Sequence, residues 1–172
     1  QGGAGTTANM TANEVIANRA IEILGGVKGD YSIVHPNDHV NRAQSTNDVF
    51  PSAAKLTAAK LLKKAIAQVE RLEAALAEKE KEFHDIIKMG RTQMQDAVPI
   101  RLGAEFGAYR KAIQRDLVRL NRAMEGMYAI NMGGTAVGTA LNANPAYVEA
   151  LAPELAKITG LPLVKADDLV DG

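Results

Sequence analysis

The chain has 172 residues, with 20 Lys and Arg against 20 Asp and Glu, so its formal net charge is zero. That balance gives no general attraction to nucleic acid or to an anionic membrane. Cysteine and tryptophan are absent and aromatics are only 4%, which excludes disulfides and thiolate chemistry and calls for an aliphatic, alanine-rich core of closely packed helices.

The first predicted element is a helix over 9–24, NMTANEVIANRAIEIL, with Asn9 or Thr11 as its cap and Glu14 three residues after Thr11. Gly25–Asp30 breaks it, and 31–47 is polar and irregular around Pro36. A second helix is expected over 49–88, with Pro51 in its first turn. Its apolar residues Leu62, Ile66, Val69, Leu72, Leu76, Phe83 and Ile87 keep a helical period. About forty residues at 1.5 Å each give a rod on the order of 60 Å, a length suited to a bundle.

KMGRTQMQDAVP at 88–99 interrupts the pattern. A third helix follows over about 100–130, with a stripe from Leu102 and Phe106 through Tyr109, Ile113, Leu117 and Leu120 to Met124 and Met127. GGTAVGTALNANP at 133–145 reads as a glycine-rich loop. Pro145 starts a shorter helix to about 159, with Val148, Leu151, Leu155 and Ile158 inward, and GLPLV at 160–164 can run extended. No β-sheet is evident. The fold class is therefore all-α, built on long antiparallel helices that need further helices, from the rest of a longer protein or from other copies, to bury both stripes. No apolar run approaches the roughly 18 residues that span a bilayer. No signal peptide is visible, and a reducing, cytoplasmic setting fits.

Three polar stretches precede predicted helices: GAGTTAN at 3–9, QSTNDVFP at 44–51 and GRTQMQDAVP at 90–99. A helix N-terminus presents unpaired N–H groups and about half a positive charge. Hydroxyls and carboxamides added there make a neutral, anion-seeking pocket, suited to a small molecule with more than one carboxylate. Simple capping, worth about 1 kcal/mol per helix, accounts for any one of them alone. HPNDHVN at 35–41 places His35 and His39 four apart. Pro36 and Asn37-Asp38 argue against the regular helix a zinc pair needs, so a polar turn that caps or binds an anion is the better reading and no metal is expected. GGAGTT and GGTAVGT lack the Lys-Ser/Thr of a P-loop and the full dinucleotide fingerprint, so no nucleotide cofactor is implied. His84 and the Lys/Glu run at 78–82 read as a solvated helix face.

GAGTTANMTANEVIANRA, HPNDHVNRAQSTNDVFPSA, KMGRTQMQDAVPIRLGAEF and GGTAVGTALN resemble successive signature segments of the aspartase/fumarase superfamily, in the family's order and spacing. The resemblance implies a homotetramer around a long-helix bundle, with active sites shared between subunits and no cofactor. On it, 1–48 is a partial N-terminal domain with substrate-binding loops. Residues 49–131 are a long-helix hairpin of the central bundle, and 132–172 hold the glycine-rich loop and the start of the next helical region.

The implied reaction eliminates ammonia or water from a dicarboxylate to release fumarate, through a carbanion held as an aci-carboxylate. Carried over by position, Thr6 binds substrate carboxylate, and Thr7 keeps a hydroxyl where the family usually has serine. Ser45, Thr46 and Asn47 form the central binding set, and Thr92 binds the other carboxylate with Gln93 beside it. His35, Asn37 and Asp38 resemble a secondary anion site of the fumarase branch. Fumarases carry histidine where this chain has Gln93. An amide cannot supply the proton that departing hydroxide needs, whereas ammonium leaves as neutral ammonia. The expected substrate is therefore L-aspartate; the alternatives are the water-releasing branch or a non-catalytic helical assembly module. The family's GSSxMPxKxNP loop, with its serine base, is expected C-terminal to Gly172, so the chain alone is expected to be inactive.

Overall fold

A computed structural model describes residues 3–172; Gly2, within GGAGTT, lies outside them. The chain packs as two units, one of residues 1–57 with 127–172 and one of residues 58–126.

In the first unit, α1 (Thr6–Ile23) buries Asn9, Asn13, Ala17 and Ile21, a strict four-residue spacing that sets one face inward. It begins three residues before the predicted start. Its N-cap is Gly5, at φ 92°, with no side-chain cap bond, so neither Asn9 nor Thr11 caps it. Asn9 is instead a buried donor one turn in. The helix ends in a Schellman motif: Gly26 N donates to Ile21 O at 2.9 Å and Gly25 N to Glu22 O at 3.0 Å, with Gly25 at φ 81°. A single π turn, Pro36–Val40, packs on α1, where an irregular stretch was expected.

The helix α2 (Thr46–Glu82) starts three residues early and ends six residues short of the predicted 49–88. Pro51 consequently lies inside the helix rather than in its first turn. Strand β3 (Ala129–Ile130), helix α4 (Pro145–Thr159) and strand β4 (Val164–Lys165) complete this unit as a small parallel crossover. In α4, Asn144 Oδ1 accepts from Ala146 N at 2.9 Å, Pro145 occupies the first turn and Gly160 ends the helix at φ 66°. Val148 and Ala152 are its buried residues, while Ile158, expected inward, is exposed. Ile158 lies ten residues after Val148, at about 1000° of helical turn, which returns it 80° away from the inward face. Ile21, Ile130, Val148, Leu161 and Leu163 are the large buried aliphatics here.

In the second unit the later part of α2 meets α3 (Leu102–Gly126) antiparallel. Arg110 donates to Glu73 at 2.7 Å and to Glu80 at 3.1 Å, and Gln114 Nε2 donates to Glu73 at 2.7 Å. Phe83 and Phe106 meet edge to face with ring centroids 5.1 Å apart. The closest approach is made by Gly103 and Gly107, the two buried residues of α3. A Cβ on Gly103 would stand 2.5 Å from Glu80 O, so only glycine fits. The apolar stripes are otherwise partly open, with Leu72 and Tyr109 exposed, and Leu61 and Val118 are exposed beside them.

Between α2 and α3 the chain forms an antiparallel hairpin, β1 (Ile87–Thr92) and β2 (Gln95–Arg101), where only a break was expected. Its register pairs Ile87 with Arg101 and Thr92 with Gln95, with an irregularity at Gly90. A Cβ on Gly90 would stand 2.7 Å from Val98 O. Ile87, assigned to the helical stripe, is an exposed strand residue. The hairpin is a minor addition to a helical fold.

Candidate functional site

The QSTND segment builds the start of α2 as a capping box. Ser45 Oγ accepts from Asn47 N at 3.2 Å, and Asp48 Oδ1 accepts from Ser45 N at 2.9 Å. Part of the segment is thus ordinary helix chemistry. The rest reaches further. Asp48 is 1% exposed, and its Oδ2 accepts from Gly133 N at 3.1 Å and from Thr135 N at 2.9 Å. One carboxylate therefore ties the helix start to the glycine-rich loop. Three N–H donors and the positive end of α2 compensate its buried charge.

Pro51 creates a second tie. A proline has no N–H, so the carbonyl four residues earlier loses its helical donor. That carbonyl belongs to Asn47, and Asn131 Nδ2 donates to it at 3.3 Å. Asn131 is buried, and Ser52 Oγ donates to its Oδ1 at 3.2 Å. The Asn47 side chain, itself exposed, donates through Nδ2 to Ala136 O at 2.7 Å.

Thr46 is held from the other side. Asn9 Nδ2 donates to Thr46 Oγ1 at 3.0 Å, and Asn13 Nδ2 donates to Asn41 Oδ1 at 3.0 Å. Thr6 and Thr7 lie exposed in the first turn of α1, just after Gly5, where an added Cβ would strike the Phe50 ring. The Gly5–Phe50 approach and the Asn9–Thr46 bond bring the GAGTT and STN turns together as neighbours.

Hollows lie on both sides of the loop at 135–138. One, of about 310 Å³, is lined by Asn47, Asn131, Thr135 and Gly138 among others. The other, of about 380 Å³, is lined by Gln44, Ser45, Thr135, Thr139 and Asn142 among others. Among the described residues, no charged side chain lines either one. Nearby, the Tyr147 phenol is pushed above its ordinary pKa by burial and then by the charge of Asp48, while its bond with Gln44 opposes the shift. It stays protonated at neutral pH.

His35 caps the π turn: its Nδ1 accepts from Asn37 N and Asp38 N, both at 3.2 Å. His39 Nδ1 accepts from His35 N at 2.8 Å. The two histidines serve the turn's own backbone. Among the described residues no group of three or more His, Asp or Glu side chains is arranged to hold a metal ion.

Thr92 and Gln93 are placed differently from expectation. They sit in the second unit, at the hairpin tip, ten and nine residues before α3 begins, so neither belongs to the start of that helix. GRTQ therefore ends a strand and has no helix start of its own to supply a positive dipole end. The tip is a two-residue turn with Gln93 at φ 49° and Met94 at φ 63°, the pattern that Asn-Gly usually supplies. Sequence reading missed the buried ties made by Asp48, Asn131, Asn9 and Asn13. The S-x-x-D spacing of Ser45 and Asp48 was the one local signal available.

The family model described as Lyase (Lyase_1) matches residues 1–172. Aspartate ammonia-lyase of Bacillus subtilis (strain 168) is 55% identical over 171 residues, which covers 99% of this chain and 36% of that protein. Mitochondrial fumarate hydratase of Mus musculus is 50% identical over 167 residues, 96% of this chain and 33% of that one. The solved structure of a fumarate lyase:delta crystallin from Brucella melitensis superposes with a TM-score of 0.94 at 49% identity, covering 99% of this chain and 37% of that one. The chain thus spans about a third of the length of the curated relatives it matches.

Proposed function

The chain belongs to this lyase family, within the aspartase/fumarase superfamily, and from that premise we propose that the full-length protein carrying it converts L-aspartate to fumarate and ammonia. The observation that carries the reading is the Ser45–Asn47 turn. It is a neutral set of donors at the start of α2, beside the Thr6–Thr7 turn, with hollows around it whose described lining side chains are uncharged.

A dicarboxylate fits such a surface because hydroxyl, amide and backbone N–H donors compensate its charge without a competing fixed cation. In the reaction, a base takes the proton from the carbon beside one carboxylate. The electron pair is held on that carboxylate as an aci-acid, then forms the carbon–carbon double bond as the C–N bond breaks and ammonia departs. Thr6, Thr7, Ser45, Thr46 and Asn47 bind one part of the substrate, and Thr92 with Gln93 binds another. His35, Asn37 and Asp38 form a secondary anion site. The base belongs to a serine loop beyond Gly172, so the 172-residue chain by itself turns over nothing. The enzyme works as a cytoplasmic homotetramer, and the exposed apolar residues of α2 and α3 support that assembly.

Gln93 favours ammonia over water as the leaving group, since an amide cannot protonate a departing hydroxide. The second reading is hydration of fumarate, favoured by the 50% identity to a fumarate hydratase. Ultraviolet absorbance of fumarate separates them. The full-length protein should generate fumarate from L-aspartate and not from malate. Turnover of malate without turnover of aspartate overturns the proposal.

A further inference from the structure

Asp48 caps α2 and ties it to the glycine-rich loop. Its geometry supports a larger role. The two amides held by Oδ2 belong to Gly133 at φ 93° and Thr135 at φ 60°. Left-handed backbone is ordinary for glycine and costly for a β-branched residue. Thr135 persists there because a buried carboxylate, anchored in the first turn of α2, takes its N–H at 2.9 Å. The next residue, Ala136, offers the carbonyl that receives Asn47 Nδ2 at 2.7 Å.

A closed circuit results. Asp48 fixes the turn at 133–135, the turn fixes Ala136 O, and Ala136 O fixes the carboxamide of Asn47, the residue immediately before Asp48. Asn131 closes the other side by donating to Asn47 O at 3.3 Å. An exposed amide such as Asn47 otherwise rotates freely about its last torsion. Here one face of it is committed, which leaves its oxygen and second N–H proton in a set orientation.

We propose that Asp48 is a positioning residue for substrate: it holds Thr135 in the left-handed region and so orients the Asn47 carboxamide toward a carboxylate. The proposal rests on the dicarboxylate reading given above. Asp48 itself touches no substrate. It acts through the loop, and the loop acts through Asn47.

The test uses the full-length protein with L-aspartate. Asp48→Asn keeps the shape but replaces one acceptor oxygen with an NH₂ group that faces backbone donors. The expected result is a fall in kcat/KM of at least about 30-fold, with circular dichroism and oligomeric size unchanged. Adding Thr135→Gly, which enters the same region without strain, should recover at least about tenfold of that loss. A purely structural role for Asp48 predicts no such recovery in a variant that is already folded. A kcat/KM for Asp48→Asn within about threefold of the unmodified protein overturns the proposal, as does a loss that Thr135→Gly leaves untouched.

Amide exchange in the unmodified protein gives a reading that needs no variant and no activity. The amides of Gly133 and Thr135 should be protected, and exchange as fast as in a free peptide overturns the clamp even if Asp48→Asn fails to fold. Absence of aspartate turnover in the unmodified protein, with both amides protected, removes the substrate role while the clamp stands. The functional reading and the positioning role therefore fail separately.

Discussion

Gly133 and Gly160 form a matched pair for measuring how tightly the glycine-rich loop is packed. Both sit at positive φ, 93° and 66°, so alanine at either position adopts a strained backbone. That strain costs about 1 kcal/mol or slightly more, with a few tenths returned because alanine restricts the unfolded chain. The surroundings differ. A Cβ at Gly160 meets nothing within 4 Å. A Cβ at Gly133 stands 2.9 Å from Val148 Cγ1, 3.2 Å from Leu151 Cδ1 and 3.4 Å from Val148 Cα. Val148 is buried and β-branched, so its methyl cannot swing away. Overpacking of this kind costs about 1–3 kcal/mol.

The expected losses are therefore about 1 kcal/mol for Gly160→Ala and about 2–4 kcal/mol for Gly133→Ala. Urea unfolding of the two variants side by side, followed by far-ultraviolet circular dichroism, reads the difference. With a slope of about 1–3 kcal/mol per molar, the midpoints should separate by roughly 1 M. Equal midpoints would mean that the loop does not lie against Val148 and Leu151, and the geometry around Asp48 would fall with it.

Two further outcomes follow from the ion pairs and the buried amides. Arg110, and then Gln114, hold the Glu73 carboxyl below the ordinary glutamate range. A carboxyl lowered by folding contributes stability that is complete above its unfolded pKa and is lost as pH falls through its folded value. Arg110→Ala should therefore lower the urea midpoint at pH 7 more than at pH 3; an equal drop at both excludes the pairing. Asn13 is buried and donates to Asn41 Oδ1 at 3.0 Å. Asn13→Ala should cost about 1 kcal/mol in the same assay, because Asn41 Oδ1 loses its 3.0 Å donor beneath α1 and keeps only Asn9 Nδ2 at 3.4 Å. A change under about 0.3 kcal/mol would place that amide outside the network.

What could be read from the sequence divides along contact distance. Helix α4 was legible because its signals are local: Asn144 caps, Pro145 starts and Gly160 stops. The Ser45–Asp48 capping box is equally local. The β1–β2 hairpin was hidden because β2 is exposed along its whole length and so shows no alternation of apolar and polar residues. Its turn also hid, since Gln93 and Met94 adopt positive φ without glycine or asparagine. Thr92 and Gln93 stand out by resemblance alone, since a hairpin tip lacks the N–H groups of a helix start. Gly103 and Gly107 were passed over because a stripe search weighs large side chains, and the close approach to Glu80 depends on having none. The Asp48 ties were out of reach, since nothing near residue 48 announces a partner beyond residue 130.

That separation has a temporal meaning. Asp48 finds Gly133 and Thr135 across 85 and 87 residues of chain. At synthesis rates of 5–20 residues per second, the ribosome takes roughly 4–17 s to make the stretch between them. During that interval the whole of residues 58–126 emerges, and its α2–α3 hairpin can form from contacts of much shorter span. The polar turn at 45–47 is thus made well before the loop that gives it its final form.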